Sequence, residues 1–485
     1  MSRLWPTAPI RPEIRMTPEG SATSTVGTRT IALVVAAALF MENIDSTILS
    51  TALPTIATDL NVNPLALKLA LTSYLISLAI FIPPSGWVAD RFGARRVFAA
   101  AVLVFMAGSV ACTAVSTLEG FVVARFLQGI GGAMMVPVGR LIVARNTPKQ
   151  GFVSTMAWLT MPALLGPVLG PLVGGIIVTH YPWHWIFLIN IPIGLICLGL
   201  ALALLPREAP RPVGRFDGWG FLLSGFALSA LMLGSMEMTD MTGASAGMLG
   251  LLAFGAVMAV ALVWHCRRVP QPILDFSLLR IATFRSSVLG GTLFRTGIGA
   301  IPFLLPLMLQ LGFGLSAIQS GALTFVSALG ALFMKPVNAL ILRRFGFRRV
   351  LLVNGALAIA SLAAIGLFRA DTSHLVIYAV LFIGGCLRSI QFTSLNSIAF
   401  ADLSQDEMSR ATSLSSAAQQ VSLGLGVTLG ATAVAASMAW RGGDTLTAAD
   451  FPAAFLIVAA VSGLSLIVFS RLPVEAGAQM AGRRV

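Results

Sequence analysis

Long apolar stretches separated by short polar turns make up nearly the whole chain. Each is about 20 residues or longer, which is enough for a helix to cross the hydrocarbon core of a bilayer. The predicted helices cover residues 30–57, 67–88, 96–116, 119–144, 152–179, 184–205, 217–236, 246–265, 286–311, 317–341, 348–368, 373–400, 411–439 and 451–471. The pattern therefore predicts an all-α integral membrane protein with 14 transmembrane helices.

The composition agrees with this pattern. Of the 485 residues, 56% are hydrophobic and only 11% are charged, which is more apolar surface than a soluble protein of this size could bury. The polar stretches are too short to form a soluble catalytic domain. Residues 1–29 are rich in Pro, Thr and Ser and lack the apolar core of a signal peptide, so we expect a disordered cytoplasmic tail.

A short basic turn occurs twice. Residues 90–96 read DRFGARR, and residues 343–349, about 250 positions later, read RRFGFRR. Both copies lie between long apolar stretches, which predicts two related halves and the general plan of a secondary transporter. We predict an N-terminal six-helix half at 30–206, a linker with two extra helices at 207–285, a C-terminal half at 286–472 and a tail at 473–485.

The charged residues follow the membrane topology. The net charge is +13, but the basic residues lie in alternate short loops and not on one soluble surface, which argues against binding to nucleic acid. The basic loops contain Arg91, Arg95 and Arg96; Arg145 and Lys149; Arg207, Arg211 and Arg215; Arg267, Arg268, Arg280 and Arg285; and Arg343, Arg344, Arg348 and Arg349. By the positive-inside rule, both termini are expected in the cytoplasm.

The first basic turn combines glycines, a carboxylate and arginines at fixed spacing. Gly86, Asp90, Arg91, Gly93 and Arg95 match the pattern G-x-x-x-D-R-x-G-x-R, which resembles a signature of the major facilitator superfamily. Gly93 permits a tight turn, and a carboxylate here can meet a helix dipole and nearby arginines. A loop that only sets topology would explain the arginines but not Asp90 and Gly93, so we interpret the turn as a cytoplasmic gate.

The fifth predicted span carries a repeated Gly-Pro pattern. Glycines four positions apart leave a flat helix face, and prolines bend a helix. Ordinary tight packing between helices would account for both features. The pattern also resembles the antiporter motif of proton-coupled exporters in the same superfamily, which implies a role for Gly166, Pro167, Gly170, Pro171 and Gly174.

Two further features are similar to the fourteen-helix drug:proton antiporter family. The run 183–194 (WHWIFLINIPIG) opens the sixth span, and two additional helices separate the halves. His184 stands where that family commonly has arginine; pH sensing is one interpretation, and a solvated interfacial histidine is the simpler one. The run 131–141 (GGAMMVPVGRL) resembles an MdtD-like subgroup of bacterial exporters, which implies that the chain lies in the inner membrane of a bacterium.

Two carboxylates and an arginine stand out inside the predicted N-terminal spans. Asp45 and Glu42 are on the first, in a segment resembling the same family's first-helix motif, and Arg125 is on the fourth, in a pattern that resembles R-x-x-Q-G. At about 1.5 Å per residue, Asp45 lies ~24 Å and Arg125 ~30 Å from the cytoplasmic ends of their helices, so they can share a depth. We expect Asp45 or Glu42 to carry a coupled proton beside Arg125; a static buried ion pair is the alternative.

The second half contains buried basic residues without an intramembrane carboxylate. Arg295 and Arg388 look central, so either the two halves pair across a cavity or an anionic ligand supplies the charge. We therefore keep an exporter of a di- or tricarboxylate as the alternative to a multidrug exporter. The predicted substrate cavity comprises Gln128, Arg295, Arg388 and Gln391.

The sequence thus predicts a proton-coupled solute exporter that works by alternating access. The expected partners are protons, a small-molecule substrate and the lipid bilayer, and a monomer is expected to suffice. No cofactor or metal is expected, because the chain has no phosphate-binding Gly-Lys-Ser/Thr loop and no His- or Cys-rich cluster. A membrane enzyme would need a convergent catalytic site, for which the four histidines are too dispersed; a sensor without transport remains a third possibility.

Overall fold

The fold is described from a computed structural model covering residues 27–147, 152–207, 213–237, 246–404, 407–443 and 445–478. All regular structure in these ranges is helical, which confirms the predicted all-α class. Twelve helices in them are long and apolar enough to cross a membrane, and two shorter apolar helices, Leu165–His180 and Gly218–Gly234, lie between them. The total of fourteen spans stays a prediction.

The N-terminal helices follow the predicted order with shifted ends. Their bounds are α1 (Thr28–Asp59), α2 (Lys68–Phe81), α3 (Ser85–Phe92), α4 (Ala94–Ala114), α5 (Leu118–Arg145), α6 (Phe152–His180), α7 (Trp185–Leu188) and α8 (Asn190–Leu204). The second predicted span is broken into α2 and α3 because consecutive prolines, Pro83 and Pro84, interrupt the helical hydrogen bonds. A 3₁₀ turn at Pro64–Leu67, capped by Asn63, precedes α2.

The remaining helices include the predicted insertion and the C-terminal set. Their bounds are α9 (Gly218–Glu237), α10 (Ala246–Cys266), α11 (Ala282–Arg285), α12 (Gly291–Gly299), α13 (Ile301–Leu307), α14 (Ala317–Phe333), α15 (Lys335–Phe345), α16 (Phe347–Ile365), α17 (His374–Ile398), α18 (Met408–Arg441), α19 (Phe451–Gly463) and α20 (Ser465–Ser470). Two π-helical turns, Ser286–Gly290 and Met308–Gly312, flank α12 and α13.

Both copies of the basic turn have the same backbone geometry. Gly93 joins α3 to α4 with φ of 89°, and Gly346 joins α15 to α16 with φ of 76°. Residues with a side chain rarely adopt this conformation, so glycine is required at each turn. We call the end of the bundle with these turns the basic end and the opposite end the far end.

Hydrophobic packing differs between the two ends. At the far end, one core contains residues from early and late helices together, among them Leu53, Phe187, Phe303 and Phe455. Toward the basic end, the buried residues fall into separate clusters, one around Phe98 and another around Phe347. The early and late helices are therefore joined by packing mainly at the far end.

Glycines allow the closest approaches at this joint. A Cβ added to Gly175 of α6 would lie 2.6 Å from the Ala317 carbonyl oxygen, and one added to Gly321 of α14 would lie 2.2 Å from that of Pro171. Gln310 also donates a hydrogen bond of 3.0 Å to the Thr51 carbonyl of α1. These contacts hold α1 and α6 directly against the helices from the C-terminal part of the chain.

Candidate functional site

A buried carboxylate lies at the centre of the early helices. Asp45 of α1 and Arg125 of α5 are each 1% exposed and form an ion pair of 2.7 Å. The other carboxylate oxygen, Oδ1, accepts hydrogen bonds from Gln128 Nε2 at 2.9 Å and from Asn190 Nδ2 at 2.7 Å. The structure thus brings together Asp45, Arg125 and Gln128. Asp45 and Arg125, which were predicted to lie at the same depth, are in direct contact.

Neutral groups complete this cluster. Ser109 Oγ of α4 lies 2.9 Å from Gln128 Nε2 and 3.2 Å from Asn190 Nδ2 and accepts from both. Arg125 additionally donates to Gln128 Oε1. The charged pair is therefore held by side chains from α1, α4, α5 and α8, which compensates part of the cost of burying charges. We refer to Asp45, Ser109, Arg125, Gln128 and Asn190 as the Asp45 cluster.

Glu42 has a different environment, one helical turn from Asp45. It is only half-buried, and one hydrogen bond is seen, from the Tyr74 hydroxyl at 3.3 Å. Arg140 of α5 lies near enough to interact electrostatically with Glu42 and is itself exposed, although it is within a membrane-spanning helix. Glu42 and Arg140 thus border space that is more accessible than that around Asp45.

Tyr74 of α2 connects these two sites. Its ring lies 4.4 Å from the Arg125 guanidinium carbon, within range of a cation–π interaction, and its hydroxyl donates to Glu42. Two glycines of α5 make room for it: a Cβ at Gly129 would lie 2.8 Å from the Tyr74 carbonyl oxygen, and one at Gly132 would lie 2.9 Å from its hydroxyl. Tyr74 was not among the predicted site residues.

Helix α6, which contains the Gly-Pro repeat, packs its glycine face on α1. Added Cβ atoms would lie 2.8 Å from Asn43 Cβ at Gly166, 2.0 Å from Thr47 Oγ1 at Gly170 and 2.3 Å from Thr51 Oγ1 at Gly174. Pro167 and Pro171 lie inside α6. A neighbouring face of α6 contacts α14 at Gly321. This helix is consequently wedged between the helix that carries Asp45 and a helix of the C-terminal part.

The basic turn is organised by contacts across helices. Asp90 lies in the last turn of α3 and pairs with Arg145 at the end of α5. Arg95 donates to the carbonyl of Leu205, 3.1 Å away, and to that of Leu202. Arg91 is exposed, and a Cβ at Gly86 would meet no atom within 4 Å.

Two buried arginines lie in the C-terminal helices. Arg295 of α12 donates to Asn396 Oδ1 at 2.8 Å, and Arg388 of α17 donates to Ser327 Oγ at 2.5 Å. Among the described residues, neither arginine has a carboxylate oxygen within 4.0 Å, and Arg295 Nε and Arg388 Nη1 lack a hydrogen-bond acceptor.

Gln391 is fully buried between α16 and α17. It accepts from Asn354 at 3.0 Å and donates to the Leu351 carbonyl at 3.1 Å. These contacts place it in helix packing, while Gln128 belongs to the Asp45 cluster. In the portion of the chain that the structure describes, no group of three or more His, Cys, Asp or Glu side chains could hold a metal ion.

Comparison with known proteins agrees with this fold. The family model of the Major Facilitator Superfamily matches residues 35–427 and 288–481. A relative from Klebsiella pneumoniae named multidrug resistance protein MdtD is 36% identical over 456 residues, covering 93% of this chain and 96% of its own. The MdtD protein of Escherichia coli O6:H1 is 36% identical over 449 residues, covering 91% and 94%.

Solved structures share the fold at low sequence identity. A POT family transporter in complex with 5-aminolevulinic acid superposes with a TM-score of 0.67 at 16% identity, covering 91% of this chain and 95% of that one. The xylose transporter XylE from E. coli superposes with a TM-score of 0.62 at 13% identity, covering 92% and 98%. At these identities the similarity shows the fold alone.

The helical fold and the intramembrane charges define a membrane transporter, and not an enzyme. The chain belongs to the Major Facilitator Superfamily and, within it, to the MdtD-like drug:proton antiporters, as its sequence motifs predicted.

Proposed function

We propose that this protein exports drugs from the bacterial cytoplasm in exchange for protons. The observation that carries this proposal is the pair of carboxylates on α1, one locked in a buried cluster and one accessible, beside the antiporter helix α6. The names of the relatives support a range of drugs as substrates. The chain would lie in the inner membrane with both termini in the cytoplasm, and a single copy would suffice.

Transport would follow from rocking of two halves, residues 30–206 and 286–472, with 207–285 as an insertion. Residues 1–29 and 473–485 would be tails, most of which fall outside the described ranges. The shared core at the far end and separate cores at the basic end support a state closed at the far end. With the basic end in the cytoplasm, this state would face inward.

Glu42 is the proposed proton carrier. Asp45 is buried and accepts three hydrogen bonds, which hold its carboxylate against Arg125, Gln128 and Asn190. Glu42 has one long hydrogen bond and partial exposure, so it can exchange a proton with less rearrangement. In this mechanism the Asp45–Arg125 pair is the structural element that responds to the charge on Glu42.

Tyr74 is proposed to transmit the protonation of Glu42 to the Asp45 cluster. When Glu42 is ionised, the Tyr74 hydroxyl donates to it while the ring remains over Arg125. A protonated Glu42 is a weaker acceptor, so the ring becomes free to shift relative to Arg125. The charged and titratable groups around Glu42 in this arrangement are Tyr74, Asp45, Arg125 and Arg140.

The relatives favour drugs over the anionic-metabolite alternative. Arg295 and Arg388 each find a neutral oxygen acceptor, on Asn396 and Ser327, so part of their hydrogen bonding is satisfied without an anion. We propose that both line the substrate cavity of a drug exporter.

Proteoliposomes test the proposed function directly. Purified protein is reconstituted with a fluorescent lipophilic cation, and a pH gradient is imposed in the direction that drives antiport. We expect the dye to move against its concentration gradient only while the pH gradient lasts, and to stop when a protonophore collapses it. Dye movement that ignores the pH gradient would rule out proton-coupled exchange of this substrate.

A further inference from the structure

The second basic turn keeps the geometry of the first but not its carboxylate. Arg343 occupies the position of Asp90, and among the described residues Arg343, Arg344 and Arg349 are exposed and form no ion pair. Only Arg348 is tied down, by a hydrogen bond of 3.0 Å to the Ser470 carbonyl. The first turn differs because Asp90 pairs with Arg145. No carboxylate among the described residues therefore pairs with the exposed arginines of the second turn.

An apolar groove opens beside this turn. It has a volume of about 400 Å³, lies between α15 and α16, and is lined by Ile341, Phe345, Arg349, Val353 and Leu357 among others. Val353 and Leu357 are 58% and 52% exposed, on the surface that faces lipid in a membrane bundle. Arg349 borders the groove, and the Arg344 guanidinium lies 5.8 Å from the ring of Phe345, which lines it.

The groove is apolar and long enough to hold part of a lipid acyl chain. From Arg349 to Leu357 the helix rises about 12 Å, so the groove runs from the basic end into the depth of the acyl chains. The basic end is the proposed cytoplasmic side, where anionic headgroups concentrate and basic pockets between helices bind them. Charge at the mouth and apolar walls below it match the two parts of a phospholipid.

We propose that this groove binds an anionic phospholipid. Arg344 and Arg349 hold the headgroup phosphate, and one acyl chain lies along Val353 and Leu357. The site involves neither Glu42 nor the Asp45 cluster, so it is independent of the proposed coupling mechanism. The second copy of the repeated turn would therefore bind lipid, whereas the first copy forms the Asp90–Arg145 ion pair.

Native mass spectrometry of the purified full chain tests this site with dioleoyl phosphatidylglycerol and dioleoyl phosphatidylcholine as probes. We expect the wild type to retain phosphatidylglycerol preferentially. The variant Arg344→Gln/Arg349→Gln should lose affinity for it roughly 25-fold, since each arginine near an anionic lipid contributes about a fivefold factor. The matched control, Arg91→Gln/Arg96→Gln, removes two exposed arginines from the first turn and should keep the preference.

A second pair of variants tests the groove with the arginines intact. Val353→Trp fills the groove and should reduce phosphatidylglycerol retention, whereas Val123→Trp, at an exposed position of α5, should not. Excess inorganic phosphate should not displace the lipid, which separates a lipid site from a phosphate site. The proposal would be overturned if the wild type retained both lipids equally, or if inorganic phosphate displaced the lipid. It would also be overturned if Arg91→Gln/Arg96→Gln lost as much phosphatidylglycerol as Arg344→Gln/Arg349→Gln, or if Val353→Trp retained as much as the wild type.

Discussion

At the scale of single residues, two carboxylates one helical turn apart have opposite surroundings. Asp45 is saturated with donors, and Glu42 is left with one long hydrogen bond. The sequence predicted Asp45 and Arg125 because charged residues within apolar spans stand out, and it singled out Gln128 because this residue falls in the R-x-x-Q-G pattern. It did not single out Asn190, Ser109 or Tyr74, since neutral polar side chains from other helices carry no spacing signal that ties them to Asp45.

Replacing Arg125 with methionine should destabilise the protein strongly. Breaking a buried pair leaves an uncompensated charge and costs about 3–5 kcal/mol. We expect a large fall in the thermal midpoint of the purified protein. The double variant Asp45→Asn/Arg125→Met removes the charge as well and should be more stable than Arg125→Met alone. A double variant at least as unstable as the single one would contradict the ion-pair account.

Tyr74→Phe should keep the ring over Arg125 but remove the donor to Glu42. The ionised carboxylate loses a hydrogen bond, so the pH of half-maximal transport should rise by roughly half to one unit. The measurement is dye export by proteoliposomes across a pH series. If Tyr74 only filled space, the pH of half-maximal transport would not change in Tyr74→Phe. An unchanged midpoint would therefore contradict the proposed role of Tyr74.

At the scale of helices, α6 owes its position to glycines. The Gly-Pro repeat predicted a flat, bent helix, and the structure shows which neighbour uses each glycine. The partner of Asp90 was not predictable, because Arg145 lies on another helix, 55 positions away. Local spacing therefore drew attention to the glycines and charges of these helices and turns, but contacts between distant helices had to come from the three-dimensional packing.

Gly170→Ala should weaken the contact between α6 and α1. The added Cβ would lie 2.0 Å from Thr47 Oγ1, so one helix must shift. We expect lower thermal stability and slower export, with partial recovery in Thr47→Ala/Gly170→Ala. Gly199→Ala on α8 is the matched control, since its Cβ would meet no atom within 4 Å. Equal effects at Gly170 and Gly199 would show that helix propensity, not packing, is responsible.

Asp217, at the start of α9, connects α9 to His265 of α10 at the basic end. Burial raises the pKa of this carboxyl, but hydrogen bonds from His265 and from the Gly220 and Ile273 amides outweigh burial and lower its pKa below the usual 3.8. A depressed pKa stabilises the fold above pH 3.8, and this contribution is lost as the pH falls through the lowered value.

Hydrogen exchange at the Gly220 and Ile273 amides checks this linkage. After correction for intrinsic rates, we expect protection of both amides to decline below about pH 4 in the wild type. In Asp217→Asn, protection should already be reduced at neutral pH and should change little with acid. Wild-type protection that is constant across this range would contradict the proposed role of Asp217.

At the scale of the whole molecule, the repeated basic turn indicated two related halves, and both copies have the same glycine geometry. The membrane class and family followed from composition, hydrophobic pattern and motifs, because these are properties of the chain itself. The sequence did not predict at which end the early and late helices pack together, because the shared core at the far end depends on contacts between helices that are distant in the sequence.

The central claim is that proton coupling depends on Glu42. Its most direct test compares wild type and Glu42→Gln in proteoliposomes, measuring export driven by a pH gradient and, separately, dye counterflow without a gradient. The account predicts that Glu42→Gln abolishes gradient-driven accumulation while counterflow continues, because the variant is fixed in a neutral state but can still change conformation. Gradient-driven accumulation by Glu42→Gln at the wild-type level would contradict it.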